Sequence, residues 1–243
     1  MGYWLGIGKR YDMVESYNDM IQRYEVSGPA QEELSYILNE TAFFLDLNAK
    51  YDGAKPLYQR ALAIRERVLG PEHPDTALSI NNLAGLLAAT GRYEEAEPLY
   101  RRALAIRERV LGPEHPDTAQ SINNLAGLLD ATGRYEEAEP LYRRALAIRE
   151  RVLGPEHPNT ATSINNLAVL LGATGRYEEA EPLYRRVIEI LLCISLAIKR
   201  EHPNLQSAIN NYSALLNQMG FNKNEVLVRL NSIASPFGIK FGG

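Results

Sequence analysis

Several things are scarce in this sequence, and each shortage closes off a class of function. One cysteine, Cys193, among 243 residues excludes an intramolecular disulfide and a cysteine-based zinc cluster. It also points to a reducing compartment, so a cytoplasmic location is expected. Basic charge is not in excess: 26 Lys and Arg against 30 Asp and Glu leave a net charge of −4. That offers no field to condense on a phosphate backbone or an anionic leaflet, so neither nucleic acid nor membrane is expected as a partner. Long apolar runs are missing too. The longest, Val187 to Ile198, is interrupted by Glu189 and falls well short of the roughly 20 residues that cross a bilayer. The chain starts without a basic stretch leading into an apolar segment, so no secretion signal is read there. Also absent are a GxxxxGK[ST] phosphate loop, a GxSxG elbow and a CxxC pair. The expectation is a protein that is not an enzyme and carries neither cofactor nor metal.

What the sequence does have is a packed-core composition, 45% hydrophobic and 23% charged, and an internal repeat. At an offset of 42 residues, Asp75 to Pro116 matches Asp117 to Pro158 except at Leu78 against Gln120 and Ala88 against Asp130. A third copy runs from Asn159 to Arg186. Weaker copies flank these, from Leu34 to Pro74 upstream and from His202 to Asn231 downstream, the last displaced by 45 residues.

Each unit reads as two helices. Ile80, Leu83, Ala84 and Leu87 fall at i, i+3, i+4 and i+7, the spacing of one buried helical face. A second stripe runs through Tyr93, Ala96, Tyr100, Ala103, Leu104, Val110 and Leu111. Thr90-Gly91 closes the first helix and Leu111-Gly112-Pro113 stops the second. His115-Pro116-Asp117 opens the next unit, with Asp117 expected as N-cap. A unit of this kind cannot bury its stripe alone, so neighbours must stack.

The unit resembles the tetratricopeptide repeat through Leu83, Ala84, Leu87, Gly91, Tyr93, Ala96, Tyr100 and Ala103. The 42-residue variant, with NNLA, YEEAEPLYRRAL and a linker HP, is similar to the repeats of kinesin light chains and of arrays attached to bacterial signalling NTPases. The resemblance covers roughly residues 9 to 231. It implies an all-α fold, a right-handed α-solenoid of about five helix-turn-helix repeats and eleven helices, with capping segments at both ends. The expected organisation is a capping helix, the remnant of a truncated repeat, within residues 1–29. Repeats follow at about 30–72, 73–114, 115–156, 157–201 and 202–231, then a tail over 232–243. The implied function is a non-catalytic module that binds an extended peptide segment of a partner in a concave groove. The alternatives are a ligand-sensing domain of a larger signalling NTPase and a self-associating scaffold.

The groove face of each first helix is a stripe at spacings of three, four and three. The five stripes are Tyr36, Asn39, Phe43, Asp46; Leu78, Asn81, Gly85, Ala88; Gln120, Asn123, Gly127, Asp130; Thr162, Asn165, Val169, Gly172; and Ser207, Asn210, Ala214, Asn217. Asparagine holds the second place throughout, followed by Asn82, Asn124, Asn166 and Asn211, or by Glu40 in the first unit. An amide both donates and accepts, so this column suits either the backbone of an extended peptide or the neighbouring unit. In kinesin light chains the matching asparagines contact cargo backbone, a role the resemblance implies for Asn81, Asn123 and Asn165.

Over the 28 residues that the three best copies share, only four positions differ, and three of them lie on the stripe: Leu78/Gln120/Thr162, Gly85/Gly127/Val169 and Ala88/Asp130/Gly172. These are the expected specificity positions, with Tyr36, Glu40, Phe43 and Asp46 in the first unit. The stripes carry no basic residue while Glu40, Asp46 and Asp130 are acidic, so a neutral or basic peptide with an apolar anchor is expected. All four histidines, His73, His115, His157 and His202, hold one linker position. They are read as turn residues, since helices about 8–10 Å apart separate them too far to share a metal. Glu97 and Arg101 are spaced to pair on a solvated face. Where other copies have Arg-Glu-Arg, the fourth has Leu191-Leu192-Cys193, making an unusually apolar helix. Either the segment from Val226 to Phe241 folds over it, with Cys193 buried, or Leu191, Leu192 and Ile194 support self-association.

Overall fold

The computed structural model describes residues 31–242. Those residues form ten α-helices in consecutive hairpins, with no strand among them. In order they are α1 Gln31–Leu47, α2 Tyr51–Val68, α3 Pro74–Ala89, α4 Tyr93–Val110 and α5 Pro116–Ala131, followed by α6 Tyr135–Leu153, α7 Pro158–Ala173, α8 Tyr177–Ala197, α9 Leu205–Gln218 and α10 Lys223–Ala234. A short 3-10 turn, Ser235–Phe237, ends the series. The capping helix expected within residues 1–29 lies outside the described residues. The chain divides into two compact units at Pro113 and Glu114, one with the hairpins α1–α2 and α3–α4, the other with α5–α6, α7–α8 and α9–α10. None of the described helices is long and apolar enough to cross a membrane.

The first helix of a hairpin is buried on more than one side because it lies against both its partner and the adjacent hairpin. In α3, Ala77, Ile80, Leu83, Ala84, Leu86 and Leu87 are all buried, together with Thr76 and Ser79. The second helix buries one narrower stripe, which in α4 is Ala96, Tyr100, Ala103, Ile106 and Arg107. Alanines of the second helices, Ala96 and Ala103 in α4 and Ala138 and Ala145 in α6, are fully covered. A larger residue there would overpack the joint, at a cost of about 1–3 kcal/mol.

Glycine and histidine set the helix ends. Gly91 has φ +75° and the Arg92 N–H reaches back to the Leu87 carbonyl at 2.8 Å, a left-handed C-terminal turn that favours glycine. At the start of α5 the sequence expectation is corrected. The N-cap is His115, whose Nδ1 accepts from the Asp117 N–H at 3.1 Å, while Asp117 sits inside the first turn behind Pro116. His73 and His157 cap α3 and α7 in the same way, and His202 Nδ1 accepts from the Asn204 N–H at 3.2 Å. The physical reason is geometric. Proline fixes φ at the first helical position, which leaves the residue before it as the one in extended conformation, free to turn its ring onto the helix N–H groups.

Helix α8 runs for 21 residues and buries Val187, Ile188, Ile190, Leu191 and Leu192. Part of its cover is the end of the chain. Ile190 and Cys193 share a cleft with Ile233, Pro236 and Phe237, and Leu192 and Leu196 share another with Ile239 and Phe241. Asn231 fastens this tail by accepting from the Phe241 N–H at 2.7 Å and donating to its carbonyl at 3.3 Å. Two readings change as a result. Cys193 is exposed rather than buried, because the cleft it shares with the tail leaves it open to solvent. Leu191 and Leu192 are 2% and 1% exposed, so they present no surface for self-association, and Ile194 is half-buried.

Candidate functional site

The stripe positions do not share one environment. On α1, Tyr36 and Phe43 stand out at 60% and 46% exposed, flanking a buried Asn39, with Glu40 and Asp46 half-buried. On α3, Leu78, Gly85 and Ala88 are half-buried and Asn81 is buried. On α5, Gln120, Gly127 and Asp130 are half-buried around a buried Asn123. Thr162 and Val169 on α7 are exposed and Asn165 is half-buried, whereas Ser207, Asn210, Ala214 and Asn217 on α9 are all exposed.

The asparagines are joined to one another. Within the first unit Asn82 Nδ2 donates to Asn39 Oδ1 at 3.2 Å. Within the second, Asn166 Nδ2 donates to Asn123 Oδ1 at 3.2 Å, and Asn211 Nδ2 to Asn165 Oδ1 at 3.4 Å. Within each unit the second asparagine of one hairpin therefore bonds the first asparagine of the hairpin before it, a ladder of side-chain amides. Each rung uses one donor and one acceptor, and an amide carries two donors and two lone pairs. Side-chain bonds along a single helix complete the pattern. Gln120 Nε2 donates to Asn124 Oδ1 at 2.6 Å, and Gln206 Nε2 to Asn210 Oδ1 at 2.9 Å.

Behind the ladder lies a set of arginines that the stripe pattern does not reveal. Arg149, 3% exposed on α6, donates to the Asn159 carbonyl at 2.9 Å, to Ser163 Oγ at 2.8 Å and to Gln120 Oε1 at 2.5 Å. Arg65 on α2 makes the matching bonds to the Asp75 carbonyl and Ser79 Oγ, each at 2.9 Å, and to Ser35 Oγ at 3.3 Å. Its bonds all go to neutral oxygens, and burial lowers the pKa of both guanidiniums from the usual 12.5. The repeated Arg-Glu-Arg was the available signal. Its first arginine points inward from a second helix, off the stripes of the first helices.

Two acidic stripe residues sit over tyrosines of the second helices. Tyr142 donates to Asp130 Oδ2 at 3.4 Å. Burial raises the Asp130 carboxyl above its ordinary 3.8, with that hydrogen bond acting the other way, and Asp46 beside Tyr58 is raised by burial likewise. Burial first, and Asp46 second, push the Tyr100 hydroxyl up to about 12. Glu97 pairs with Arg101 at 2.6 Å on the solvated side of α4, as its spacing requires.

Comparison with known proteins agrees with this architecture. The family model described as Tetratricopeptide repeat matches residues 33–107, 76–151 and 123–192. A crystal structure of BtubC (BKLC) from P. vanneervenii superposes with a TM-score of 0.72 at 21% identity, covering 99% of this chain and 95% of that one. A Podosopora anserina putative kinesin light chain with nearly identical TPR-like repeats superposes at 0.67 and 27% identity, covering 86% of this chain and 98% of that one. No curated protein matches the sequence. The three overlapping matches span most of the described hairpins, and both superposed structures share their succession. This chain belongs to the tetratricopeptide repeat family.

Proposed function

We propose that the chain is a non-catalytic interaction module that holds an extended segment of a partner protein along its first helices, foremost along α5, α7 and α9. The observation that carries this is the state of the ladder at its open end. Asn165 accepts from Asn211, yet its own Nδ2 and the Asn211 Oδ1 have no partner among the described residues. A donor and an acceptor side by side on a half-buried surface match the N–H and C=O of an extended backbone. On this reading the asparagines serve both the stack and the ligand, with Asn39, Asn81 and Asn123 nearer the stack and Asn165, Asn210 and Asn211 nearer the ligand. Selectivity comes from the positions that vary between copies, Gln120 and Thr162, Val169 and Asp130, and in the first unit from Leu78, Tyr36, Glu40, Phe43 and Asp46.

Energetics set the division of labour. A hydrogen bond contributes about 0.5–1.5 kcal/mol net, so two or three backbone contacts fall short of the ~8 kcal/mol of a micromolar complex. Side chains must supply the rest. The half-buried acidic groups Glu40, Asp46 and Asp130 and the absence of bases on the stripe favour a neutral or basic segment with an apolar anchor.

The test is selection of peptides from a random display library on the immobilised chain, followed by fluorescence anisotropy. Selected sequences are expected to be neutral or basic, with binding weakened by Asn165→Ala and Asn211→Ala. Acidic consensus sequences, or affinity indifferent to both substitutions, would overturn the reading.

A further inference from the structure

The fourth and fifth hairpins differ from the others at the arginine. Counterparts of Arg149, Ser163, Asn159 and Gln120 one repeat later are Leu191, Ala208, Asn204 and Thr162. The cation and the buried hydroxyl that accepts from it are replaced together, by leucine and alanine. All four counterparts line a single cleft of about 100 Å³ between α7, α8 and α9. Its floor is Val187, Leu191 and Ala208; its rim includes Thr162, Asn165 and Ser207, which are stripe residues or their neighbours on the ladder. In the preceding hairpin the corresponding space holds the Arg149 guanidinium.

We infer that this cleft is a subsite for one uncharged aliphatic side chain, of valine or leucine size, carried by an extended peptide whose backbone lies on Asn165 and Asn211. The inference deepens the proposed function and rests on it. Charge selects the occupant: none of the ten lining residues is ionisable, so a charged side chain entering it would lose hydration with no counter-charge. Size agrees, since an apolar cavity of about 150 Å³ accepts benzene and this one is smaller. Position agrees as well. The rung at 3.4 Å joins Asn211 and Asn165, two of the residues that line the cleft, so the unpartnered donor and acceptor belong to the same cleft wall that a side chain would enter.

Two readouts separate the subsite from the groove. The first titrates the chain with N-acetyl-leucine methylamide, a single aliphatic residue between two amides, and follows amide and methyl NMR shifts. Shifts are expected at Leu191, Ala208 and Asn165, with none from the aspartate or lysine analogues. They are expected to vanish in Leu191→Arg/Ala208→Ser, which restores the arginine and its acceptor, and in Ser207→Phe, which lids the cleft from its exposed rim without touching the core. The second measures selected peptides against the same variants. Burial of a leucine side chain corresponds to an affinity loss of about ten- to hundredfold when the cleft is filled. Absence of probe shifts in the cleft overturns the subsite whatever the peptides do. Peptide binding that survives both variants also overturns it, while leaving the groove reading in place. Failure to select any peptide, with probe shifts present, overturns the groove and spares the subsite.

Discussion

Replacing Arg149 tests whether the buried guanidinium is held by a specific acceptor or merely fills space. In Arg149→Leu, Ser163 Oγ at 0% exposure loses its donor, whereas the Gln120 amide is half-buried and the Asn159 carbonyl part-buried, so both reach water more readily. The cost is therefore set by one buried unsatisfied hydroxyl, about 1–3 kcal/mol, offset in part by release of a desolvated cation. In a chain of this size, about 2–4 °C of Tm accompanies each kcal/mol, so a fall of at most about 2–12 °C is expected, less whatever the released cation offsets. Adding Ser163→Ala removes the stranded hydroxyl and reproduces the Leu191 and Ala208 pair that the molecule already contains. The double variant should return to within about 1 kcal/mol of the parent, as when both partners of a buried polar pair become apolar. The cycle is read from thermal unfolding by far-UV circular dichroism, with hydrogen exchange in α6 and α7 as a local check, since repeat arrays depart from two-state behaviour. Additive single and double effects would refute the reasoning, because they would mean that Arg149 and Ser163 do not sense each other.

Three further outcomes follow from the same structure. His115→Ala should destabilise α5 by about 0.5–2 kcal/mol, the value of a lost N-cap, while His115→Asn retains most of it; equal Tm for the two variants would contradict the capping role. Burial lowers the His202 pKa below its ordinary 6.5, so its contribution is full above about pH 6.5 and is lost as the pH falls through the folded-state value. The drop in Tm on acidification from about pH 7.5 to about pH 5.5 should accordingly be smaller in His202→Asn than in the parent. Because burial raises the Asp130 pKa, its charge disfavours the folded state as the pH rises through that value; Asp130→Asn should hold or raise Tm at neutral pH while weakening selected basic peptides.

The period of the fold was legible because it is written in residue identity: the 42-residue offset and the glycine after four of the five first helices, with Ala49 in its place after α1, mark the hairpins before any geometry is known. The ends were less so. Asp117 looks like a cap by composition, yet the proline at 116 shifts the extended residue to His115. The asparagine column was visible, but a periodic amide has two uses, and only the 3.2 Å spacing between Asn166 and Asn123 assigns one of them. Arg149 escaped because charge at a second-helix position reads as surface, whereas here it is covered by the next hairpin. The apolar run around Leu191 was seen, and what covers it depends on Asn231 meeting Phe241, a contact between two segments with no periodic signal.

The amide rungs join residues 43 apart in the regular hairpins and 46 apart at the last one. Helix α8 is three residues longer than α4, yet the next first helix still arrives in phase to make its rung. The rung thus works as a keyed joint: nearly a full turn inserted into the connecting helix is absorbed upstream, and the key restores alignment before the next hairpin is laid down. Whole hairpins added or removed between two keys would meet the same fitting on either side, which gives this chain a natural grain along which it tolerates lengthening.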